Sequence, residues 1–320
     1  MLKNKSVWVI SVLASAIALS ACQPKNDKMN DAEVDQSSIS EVQVEQLSLQ
    51  GKTEKVPVVL AECKAKNCPE ISIDRLQTNQ FVLDNLIDQA ILMHLKEMLE
   101  HTDSSETTAK NDHPQKQSTE QSAASQVAVY KSAAQLLAEQ IQPYVNNFIA
   151  LDDELKSLGA GHQISLSISP KILNSDGALA TVVINTSSYL GGAHGASSQT
   201  YYNFDLKAQK QVELDQIIQD NQKAKLNALA YDAFKVWVLE NKLSENVEEY
   251  EQTWKFSLSP NFYLGKQGLI LQYAEYELGP YVVGLPRLTI PYTQLENVIK
   301  PEYLPQSAQE TQTASQNVTE

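Results

Sequence analysis

The sequence is short of basic residues and of the motifs that mark common enzymes. Its 25 lysines and arginines are outnumbered by 39 aspartates and glutamates, which gives a formal net charge of -14. Because such a surface repels phosphate backbones, we expect no nucleic-acid partner. The chain also lacks a G-x-S-x-G elbow, a Walker loop, an H-E-x-x-H motif and any pair among its five histidines at metal-ligand spacing. These absences exclude most standard hydrolases and metalloenzymes, and we expect neither a metal nor a cofactor.

Aromatic residues are scarce in the first part of the chain. All 13 tyrosines lie at or beyond Tyr130, so we expect the folded mass to lie toward the C-terminus. The apolar stretch at residues 7–19 is shorter than the roughly 20 residues that a membrane-spanning helix needs. It follows Lys3 and Lys5, and a basic start before a short apolar run is typical of a secretory signal.

This apolar stretch ends in LSAC at residues 19–22, which resembles the end of a bacterial lipoprotein signal. Cleavage there would remove a signal peptide of residues 1–21 and leave Cys22 to carry the lipid. Gln23 follows, and a residue other than Asp at this position implies the outer membrane in such lipoproteins. We therefore expect a lipid-anchored protein on the periplasmic side of the outer membrane. Removing Lys3 and Lys5 with the signal changes the net charge from -14 to -16.

The chain has only three cysteines. If Cys22 carries lipid, Cys63 and Cys68 remain in an oxidising compartment, where two such thiols are expected to form a disulfide. Zinc binding by this pair is disfavoured, because no histidine lies close by in sequence and a spacing of two residues is usual for zinc. The sequence therefore predicts a disulfide that closes a small loop.

Composition divides the rest of the chain into four segments. Residues 22–55 comprise the lipidated cysteine and a polar stretch that predicts a flexible tether. Residues 56–162 form an N-terminal α+β portion, interrupted at 102–125 by a low-complexity insert that cannot bury a core. Residues 163–304 form a C-terminal domain, and residues 305–320 are a polar tail that we expect to be disordered.

Apolar residues at three- and four-residue steps predict two helices in the N-terminal portion. The first runs from about residue 80 to residue 100, after a capping Asn79. The second runs from residue 126 to about residue 158. Pro143 should kink or break it, because proline lacks a donor and clashes with the preceding turn. Short strands are expected at 56–60 and 71–73.

From residue 163 onward the apolar period changes from helical to two. Alternating residues predict antiparallel strands, and an apolar stripe from Leu226 to Val238 predicts a helix. Strands in runs with a few helices indicate the α+β class, with an antiparallel sheet packed against helices. The predicted strands lie at residues 164–168, 180–184, 202–206, 254–258, 269–276 and 288–292.

The most distinctive string, YLGGAHG at residues 189–195, lies between two predicted strands. Its three glycines permit positive φ and close approach of the backbone. The imidazole of His194 could transfer a proton or hold a ligand, but it could equally bond a carbonyl within a turn. The spacing does not match a dinucleotide-binding loop, which needs glycines one and then three residues apart at the start of a helix.

A second string, YAEYELGPYVVG at residues 273–284, concentrates tyrosines. An apolar ring with a polar tip suits the recognition of sugars or proteins, and it equally suits half-buried packing on a sheet. On a strand, Glu275 and Glu277 would point the same way and could pair, although solvated carboxylates are the ordinary case. The candidate binding residues from the two strings are Tyr189, Gly192, His194, Glu275, Tyr276 and Tyr281.

These strings, taken in order, resemble the C-terminal domain of RsiV-like proteins. The series continues with YNFDL at 202–206, FYL at 262–264 and IPY at 290–292, and the resemblance covers roughly residues 163–300. The same domain occurs beside the deacetylase of PdaC-type cell-wall enzymes. The resemblance implies a domain that binds lysozyme outside the cell as a signal to a sigma factor and that is not itself a catalyst. Since only a few residues precede the apolar stretch, we expect no anti-sigma function here.

Sequence and resemblance together predict a non-catalytic lipoprotein that binds a cell-envelope ligand. Negative charge, including an acidic patch at Glu245, Glu248, Glu249 and Glu251, would attract a lysozyme-like muramidase, and salt would weaken this attraction. Peptidoglycan would instead engage tyrosines near residues 189–195. Two alternatives stay open. One is an enzyme acting on cell-wall glycan, with His194 and either Glu275 or Asp205 as acid and base, and the other is a structural envelope lipoprotein.

Overall fold

The computed structural model describes residues 47–60, 63, 67–100 and 131–305. These residues fall within one compact unit, Glu45–Glu320. Several expectations concern residues that lie outside the described ones. They are the signal peptide at 1–21, the lipidation site Cys22, most of the tether, the insert at 102–125 and the tail beyond residue 305.

Six strands form the larger sheet, and their order in space is their order along the chain. They are β1 (Gly51–Lys55), β2 (Glu70–Thr78), β3 (Ser165–Asn174), β4 (Ala180–Tyr189), β5 (Ala196–Asp205) and β6 (Lys210–Gln211). Neighbouring strands are antiparallel except β2 and β3, which are parallel, so the sheet is mixed. A parallel pair needs a long crossover, and the helices α1 (Phe81–Glu100) and α2 (Ala133–Ser157) lie within the connection from β2 to β3.

These two helices and the larger sheet share the first hydrophobic core. Every third or fourth residue of α1 is buried in it, as the helical period requires, and alternate residues of β4 and β5 face the same core. Its fully buried members include Leu83, Ile87, Ile91, Ile141, Val145, Phe148, Val182, Ile184 and Phe204.

A second sheet lies in the C-terminal part and consists of three antiparallel strands, β7 (Phe262–Leu264), β8 (Gly268–Gln272) and β9 (Arg287–Pro291). The helix α4 (Lys223–Glu240) packs on it through a buried stripe of Leu226, Ala230, Phe234 and Val238, four residues apart. The remaining helices are short: α3 (Leu214–Ile217), α5 (Val247–Thr253) and α6 (Tyr292–Leu295). Together these elements enclose a second hydrophobic core.

Sheets packed against helices confirm the predicted α+β class, although the larger sheet is mixed rather than wholly antiparallel. The predicted strands at 164–168, 180–184, 202–206 and 288–292 fall on β3, β4, β5 and β9, with ends that differ by a few residues. No helix among the described residues has the length and apolar character to cross a membrane.

The tether predicted to end at residue 55 ends earlier. Leu49 is buried in the first core, and β1 pairs along its whole length with β2. The strand expected at 56–60 is absent, and those residues have no regular structure. The prediction failed because β1, with the sequence GKTEK, is an exposed edge strand held by backbone hydrogen bonds, so it carries no apolar alternation.

The second helix also differs from its prediction. It begins at Ala133, after a capping box in which Ser132 and Gln135 bond each other's backbone, and it runs through Pro143 without a break. Buried side chains lie on both sides of the proline, at Ile141 and Val145. Packing of this face therefore outweighs the missing hydrogen bond, as is common where tertiary contacts stabilise a helix.

Asn79 does not cap α1 as predicted. Its side-chain oxygen accepts from the backbone N–H of Gln50 at 3.0 Å, and its amide donates to the carbonyl of Ser48 at 2.9 Å. The residue instead fastens the segment before β1 to the start of α1.

The domain boundary predicted between residues 162 and 163 is crossed by the larger sheet. Strand β2 from the N-terminal portion pairs with β3 from the C-terminal one, and their residues share the first core. The packing changes farther along the chain, because the second core draws mainly on residues from Val212 onward. Composition could not show this, since the two helices and the insert at 102–125 separate β2 from β3 in sequence but not in the sheet.

Two further strand predictions were wrong. Residues 254–258 have no regular strand, and the strand predicted to reach residue 276 ends at Gln272. The chain then turns, so Glu275 and Glu277 do not lie on a strand. The tyrosines of this segment therefore line a loop instead of a sheet face.

A buried arginine joins three elements at one edge of the larger sheet. Arg75 on β2 is 2% exposed, and its Nε and Nη2 donate to the two carboxylate oxygens of Asp88 on α1 at 3.0 and 2.8 Å. Its Nη1 donates to Glu54 on β1 at 2.8 Å. The bidentate geometry satisfies the guanidinium in a place where an unpaired charge would be costly.

Replacing Arg75 with Leu should destabilise the protein strongly. The substitution leaves Asp88 partly buried without its counterion, and breaking such a pair costs about 3 kcal/mol or more in the free energy of unfolding. Urea unfolding followed by circular dichroism measures the change. The double variant Arg75→Leu/Asp88→Leu should recover most of the loss, because it removes both charges.

Lys55→Ala is the matched control, since Lys55 is an exposed cation 3.9 Å from Asp74 at the same sheet edge. Its removal should cost less than about 1 kcal/mol. Equal losses for Lys55→Ala and Arg75→Leu would show that the buried pair has no special role.

A buried histidine on α1 should make stability depend on pH. His94 is 8% exposed, and its Nε2 has no hydrogen-bond partner among the described residues. Burial lowers the pKa of His94 below the ordinary value of 6.5, and the nearby Glu97 only partly opposes this. Below pH 6.5 His94 therefore binds a proton in the unfolded chain but not in the folded one. Stability falls as the pH falls, until the pKa of His94 in the folded state is reached.

His94→Leu should remove this dependence, because no proton is then taken up at this position on unfolding. The wild-type free energy of unfolding should change by at most about 1.4 kcal/mol per pH unit from this one group. Urea titrations at pH values from neutral to mildly acidic compare the two slopes. Parallel slopes for the variant and the wild type would assign the pH dependence to other groups.

Candidate functional site

Two loops bring three of the predicted binding residues into direct contact. One is the hairpin loop between β4 and β5, and the other joins β8 to β9. The His194 ring stacks on the Tyr281 ring, with centroids 3.9 Å apart and planes 21° from parallel. The Tyr276 hydroxyl lies 2.9 Å from His194 Nε2. We call His194, Tyr276 and Tyr281 the aromatic surface.

The hydrogen bonds of His194 assign its proton. Its Nδ1 lies 3.1 Å from the carbonyl oxygen of Gly195, which can only accept, so Nδ1 carries the hydrogen. Nε2 is then free to accept from the Tyr276 hydroxyl. Both nitrogens of the imidazole are thus bonded within the two loops, and the ring is held for stacking.

Glu275 ties the second loop to the start of β5. Its Oε1 accepts from the Ser197 hydroxyl at 2.6 Å and from the Ser197 backbone N–H at 3.1 Å. The Glu277 carboxylate instead accepts from the backbone N–H of Ala274, within the same loop, at 2.8 Å. The two carboxylates therefore do not pair, contrary to one sequence expectation, and each fixes the loop instead.

Tyr276 has an unusual backbone conformation, with φ at 63°. A bulky residue in this left-handed region carries strain of about 1–3 kcal/mol, and such strain persists only where the surroundings hold it. Here the carboxylates of the flanking residues, Glu275 and Glu277, both accept hydrogen bonds. The conformation allows the Tyr276 hydroxyl to meet His194.

The aromatic surface is open to solvent. Tyr276 is 49% exposed, Tyr281 is 37% exposed and the neighbouring Val282 is 87% exposed. Exposed apolar groups at adjacent positions mark contact sites more often than chance. This surface offers flat rings and a phenol to a partner, which suits binding by apolar contact and hydrogen bonding.

The acid–base pairs considered from sequence are not assembled. Among the described residues, the hydrogen-bond partners of His194 are Gly195 and Tyr276, and neither is a carboxylate. Asp205 lies at the far end of β5, roughly 30 Å away for nine residues of strand. Its carboxylate accepts from the backbone N–H groups of Lys207 and Ala208 and so shapes a turn.

Tyr189 and Gly192 lie near the aromatic surface but have other roles. Tyr189 ends β4, and its half-buried ring meets His162 edge-on with centroids 6.3 Å apart. Gly192 is exposed in the hairpin loop, and an added Cβ would meet only the His194 carbonyl oxygen at 3.8 Å. Close packing thus does not require glycine at this position.

Three of the four residues of the acidic patch lie on α5, and Glu245 precedes this helix. Glu248 and Glu249 occupy the first turn of α5, where the Asn246 side chain accepts from both of their backbone N–H groups. Acidic residues are favourable at a helix N-terminus. Tyr250 of the same helix donates to the carbonyl of Leu278 at 2.8 Å, which joins α5 to the loop that carries Tyr276 and Tyr281.

Cys63 and Cys68 form the predicted disulfide, with Cα atoms 5.7 Å apart. Within the described part of the chain, no group of three or more His, Cys, Asp or Glu residues could hold a metal ion.

Sequence reasoning missed a groove at the other end of the larger sheet. Tyr263, Tyr292 and Tyr303 line it beside the turn between β3 and β4, and its volume is about 780 Å³. Two of these tyrosines occur in strings that carry the family resemblance, at 262–264 and 290–292. Nothing in their spacing shows that they converge, because the β3–β4 turn that completes the groove lies about 90 residues earlier in the chain.

Two solved structures have a similar fold. A DUF3298 family protein from Pseudomonas aeruginosa PAO1 matches with a TM-score of 0.52 and 22% identity, over 81% of this chain and 97% of that one. A member of the same family from Bacteroides fragilis matches with a TM-score of 0.53 and 20% identity, over 80% and 94% of the two chains. At these identities the likeness concerns the fold alone. No curated protein matches the sequence.

A family model described as "Protein of unknown function (DUF3298)" matches residues 215–293. The matched range includes Tyr276 and Tyr281 and begins after His194. The more specific RsiV-like resemblance stays a prediction. Residues 215–293 are therefore similar to the DUF3298 domain.

Proposed function

We propose that this chain is an outer-membrane lipoprotein whose folded part binds a lysozyme-like muramidase without acting as an enzyme. The observation that carries the proposal is the aromatic surface, with its stacked His194 and Tyr281 exposed beside acidic residues. The lipid on Cys22 would hold the protein at the periplasmic face, and the segment before β1 would let it reach partners near the membrane.

The aromatic surface has the character of a protein-binding anchor. Tyrosine is enriched among the residues that contribute most to binding, and its ring loses little conformational entropy on contact. Stacking against His194 and the hydrogen bond from Tyr276 fix the rings before a partner arrives. Preorganisation of this kind reduces the cost of association.

The charge around this surface suits a cationic partner. The chain has a formal net charge of -14, and the exposed Glu248 and Glu249 lie on the helix that Tyr250 joins to the loop of Tyr281. Negative charge beside an apolar anchor speeds the encounter with a basic protein, and salt weakens this attraction. Peptidoglycan could stack on the same rings but would gain nothing from this charge, so we favour the muramidase.

An enzyme acting on glycan is the alternative, and the geometry supports it less than it supports a binding protein. A general acid or base must reach the substrate, whereas both nitrogens of His194 are already bonded within the loops. A purely structural envelope protein would require neither fixed exposed rings nor the strained Tyr276.

Tyr281→Ala should weaken binding of purified lysozyme at least tenfold, because it removes the stacked ring at the centre of the surface. Charge reversal of Glu248 and Glu249 to Lys should mainly slow association and flatten its salt dependence. Surface plasmon resonance at low and high salt, with the full chain in detergent, measures both effects.

Asp215→Lys/Asp220→Lys is the matched control, since these two exposed acids follow β6, which pairs with the end of β5 far from the aromatic surface. Reversal there should leave the association rate close to that of the wild type. Absent or salt-insensitive lysozyme binding would count against the proposed partner. Peptidoglycan turnover that disappears in His194→Ala would overturn the non-catalytic proposal, because one acid–base group contributes about 10²- to 10⁴-fold in rate.

Cys22→Ala should release the protein from the membrane fraction, because it removes the atom to which the lipid is attached. Separation of membranes from soluble periplasmic contents, followed by immunoblotting, measures the distribution. Cys63→Ala/Cys68→Ala is the control, since it leaves Cys22 in place. Tight membrane association of Cys22→Ala would refute the lipoprotein proposal.

A further inference from the structure

A groove of about 780 Å³ lies at the end of the larger sheet opposite the aromatic surface. The turn between β3 and β4, residues 174–179, forms one wall, and residues 263–266, at the end of β7 and the start of the β7–β8 loop, form another. Residues 302–305 complete it. The ten residues of β4 separate this groove from Tyr189 by roughly 30 Å, so it is distinct from the aromatic surface.

Three tyrosine rings in the groove are held in place by other parts of the protein. Tyr263 stacks on Tyr201 of β5 with centroids 4.4 Å apart. The Tyr292 hydroxyl donates to the Gly265 carbonyl at 2.8 Å. Tyr303 lies half-buried in a short turn of 3-10 helix, Pro301–Tyr303. Burial raises the pKa of both Tyr292 and Tyr303, so their phenols stay neutral.

Hydrogen-bond donors and acceptors both border these rings. Lys266 supplies donors and Glu302 supplies acceptors, and within the described residues neither side chain makes an ion pair or a hydrogen bond. Asp176 uses its Oδ1 to accept from Ser48 and Ser175, which leaves its second carboxylate oxygen available. One cation against two carboxylates disfavours a phosphorylated ligand, and the lysine within the groove disfavours a cationic peptide.

We propose that this groove binds a neutral oligosaccharide. Rigid aromatic faces accept the apolar faces of sugar rings, and hydroxyl groups pair with both donors and acceptors along the walls. The volume is within the range of ordinary ligand sites, and the groove is open to solvent, which suits a chain longer than the groove itself. The proposal does not depend on binding at the aromatic surface.

Titration calorimetry of the full chain in detergent with β-1,4-linked tetramers of N-acetylglucosamine and of glucose tests the groove. Saturable binding of at least one tetramer at millimolar concentration or below is expected. Ala178→Trp places a large ring in the groove from an exposed position, and it should weaken this binding at least tenfold. Lys266→Ala and Glu302→Ala should each weaken it several-fold, because each removes a hydrogen-bonding group.

Ala193→Trp is the matched control, an equal substitution at an exposed alanine of the hairpin loop beside His194. It should leave oligosaccharide binding unchanged and should impair lysozyme binding. Ala178→Trp should instead impair oligosaccharide binding and leave lysozyme binding unchanged. Thermal unfolding of both variants shows whether the fold is kept. The proposal would be overturned if neither tetramer binds, or if Ala178→Trp binds the oligosaccharide with wild-type affinity. It would also be overturned if Ala178→Trp loses binding of lysozyme and of the oligosaccharide to the same extent.

Discussion

Strand β5 has both of its faces buried from Tyr201 to Phe204, and the rest of the structure depends on this constraint. Tyr202 and Phe204 point into the core beneath α1 and α2, while the alternate residues face the second sheet. Among these, Asn203 accepts from Thr181 at 3.0 Å and donates to the carbonyl of Phe262 at 2.8 Å. A buried amide left without these partners would cost about 1–3 kcal/mol, so the second sheet has one favourable position against β5.

Backbone and side-chain groups of β5 bond the C-terminal part along most of the strand. Asn261 accepts from the Tyr201 backbone N–H at 2.9 Å and donates to the Gln199 carbonyl at 2.7 Å. Arg287, one of only two arginines in the chain, donates to the side chains of Gln272 and Gln199. At the first residues of the strand, Ser197 holds Glu275. Side-chain hydrogen bonds, rather than a continuous backbone ladder, thus fix how the loops at each end of β5 lie.

Both candidate sites follow from this arrangement. The Ser197 contact holds the loop of Tyr276 and Tyr281 against the hairpin that carries His194. Farther along, Tyr201 stacks on Tyr263 and so sets one wall of the groove. Each site is therefore assembled from segments that are distant in sequence but held by residues of one strand.

Periodicity predicted the elements that bury one clear face, such as α4 with its stripe from Leu226 to Val238 and β3 with its alternating residues. It missed β1, because an edge strand of charged and polar residues is held by its backbone and has no apolar pattern. It also extended β8 through Tyr276, since alternating tyrosines and glutamates look the same on a strand and in a loop. His194, Tyr276 and Tyr281 were selected by residue type, and only the fold shows that they touch.

The conformation of Tyr276 is the structural feature that most strongly supports the proposed role of this loop. Among the described residues, four that are not glycine have positive φ, and Tyr276 is the only aromatic one. Gln209, Asn221 and Lys242 lie in turns beside β6 and α4, where such angles end or reverse the chain. At Tyr276 the strain instead presents a ring that is half exposed and stabilises no core. Two carboxylate contacts offset part of that cost, so the sequence retains an arrangement whose main physical result is a rigid, exposed aromatic face.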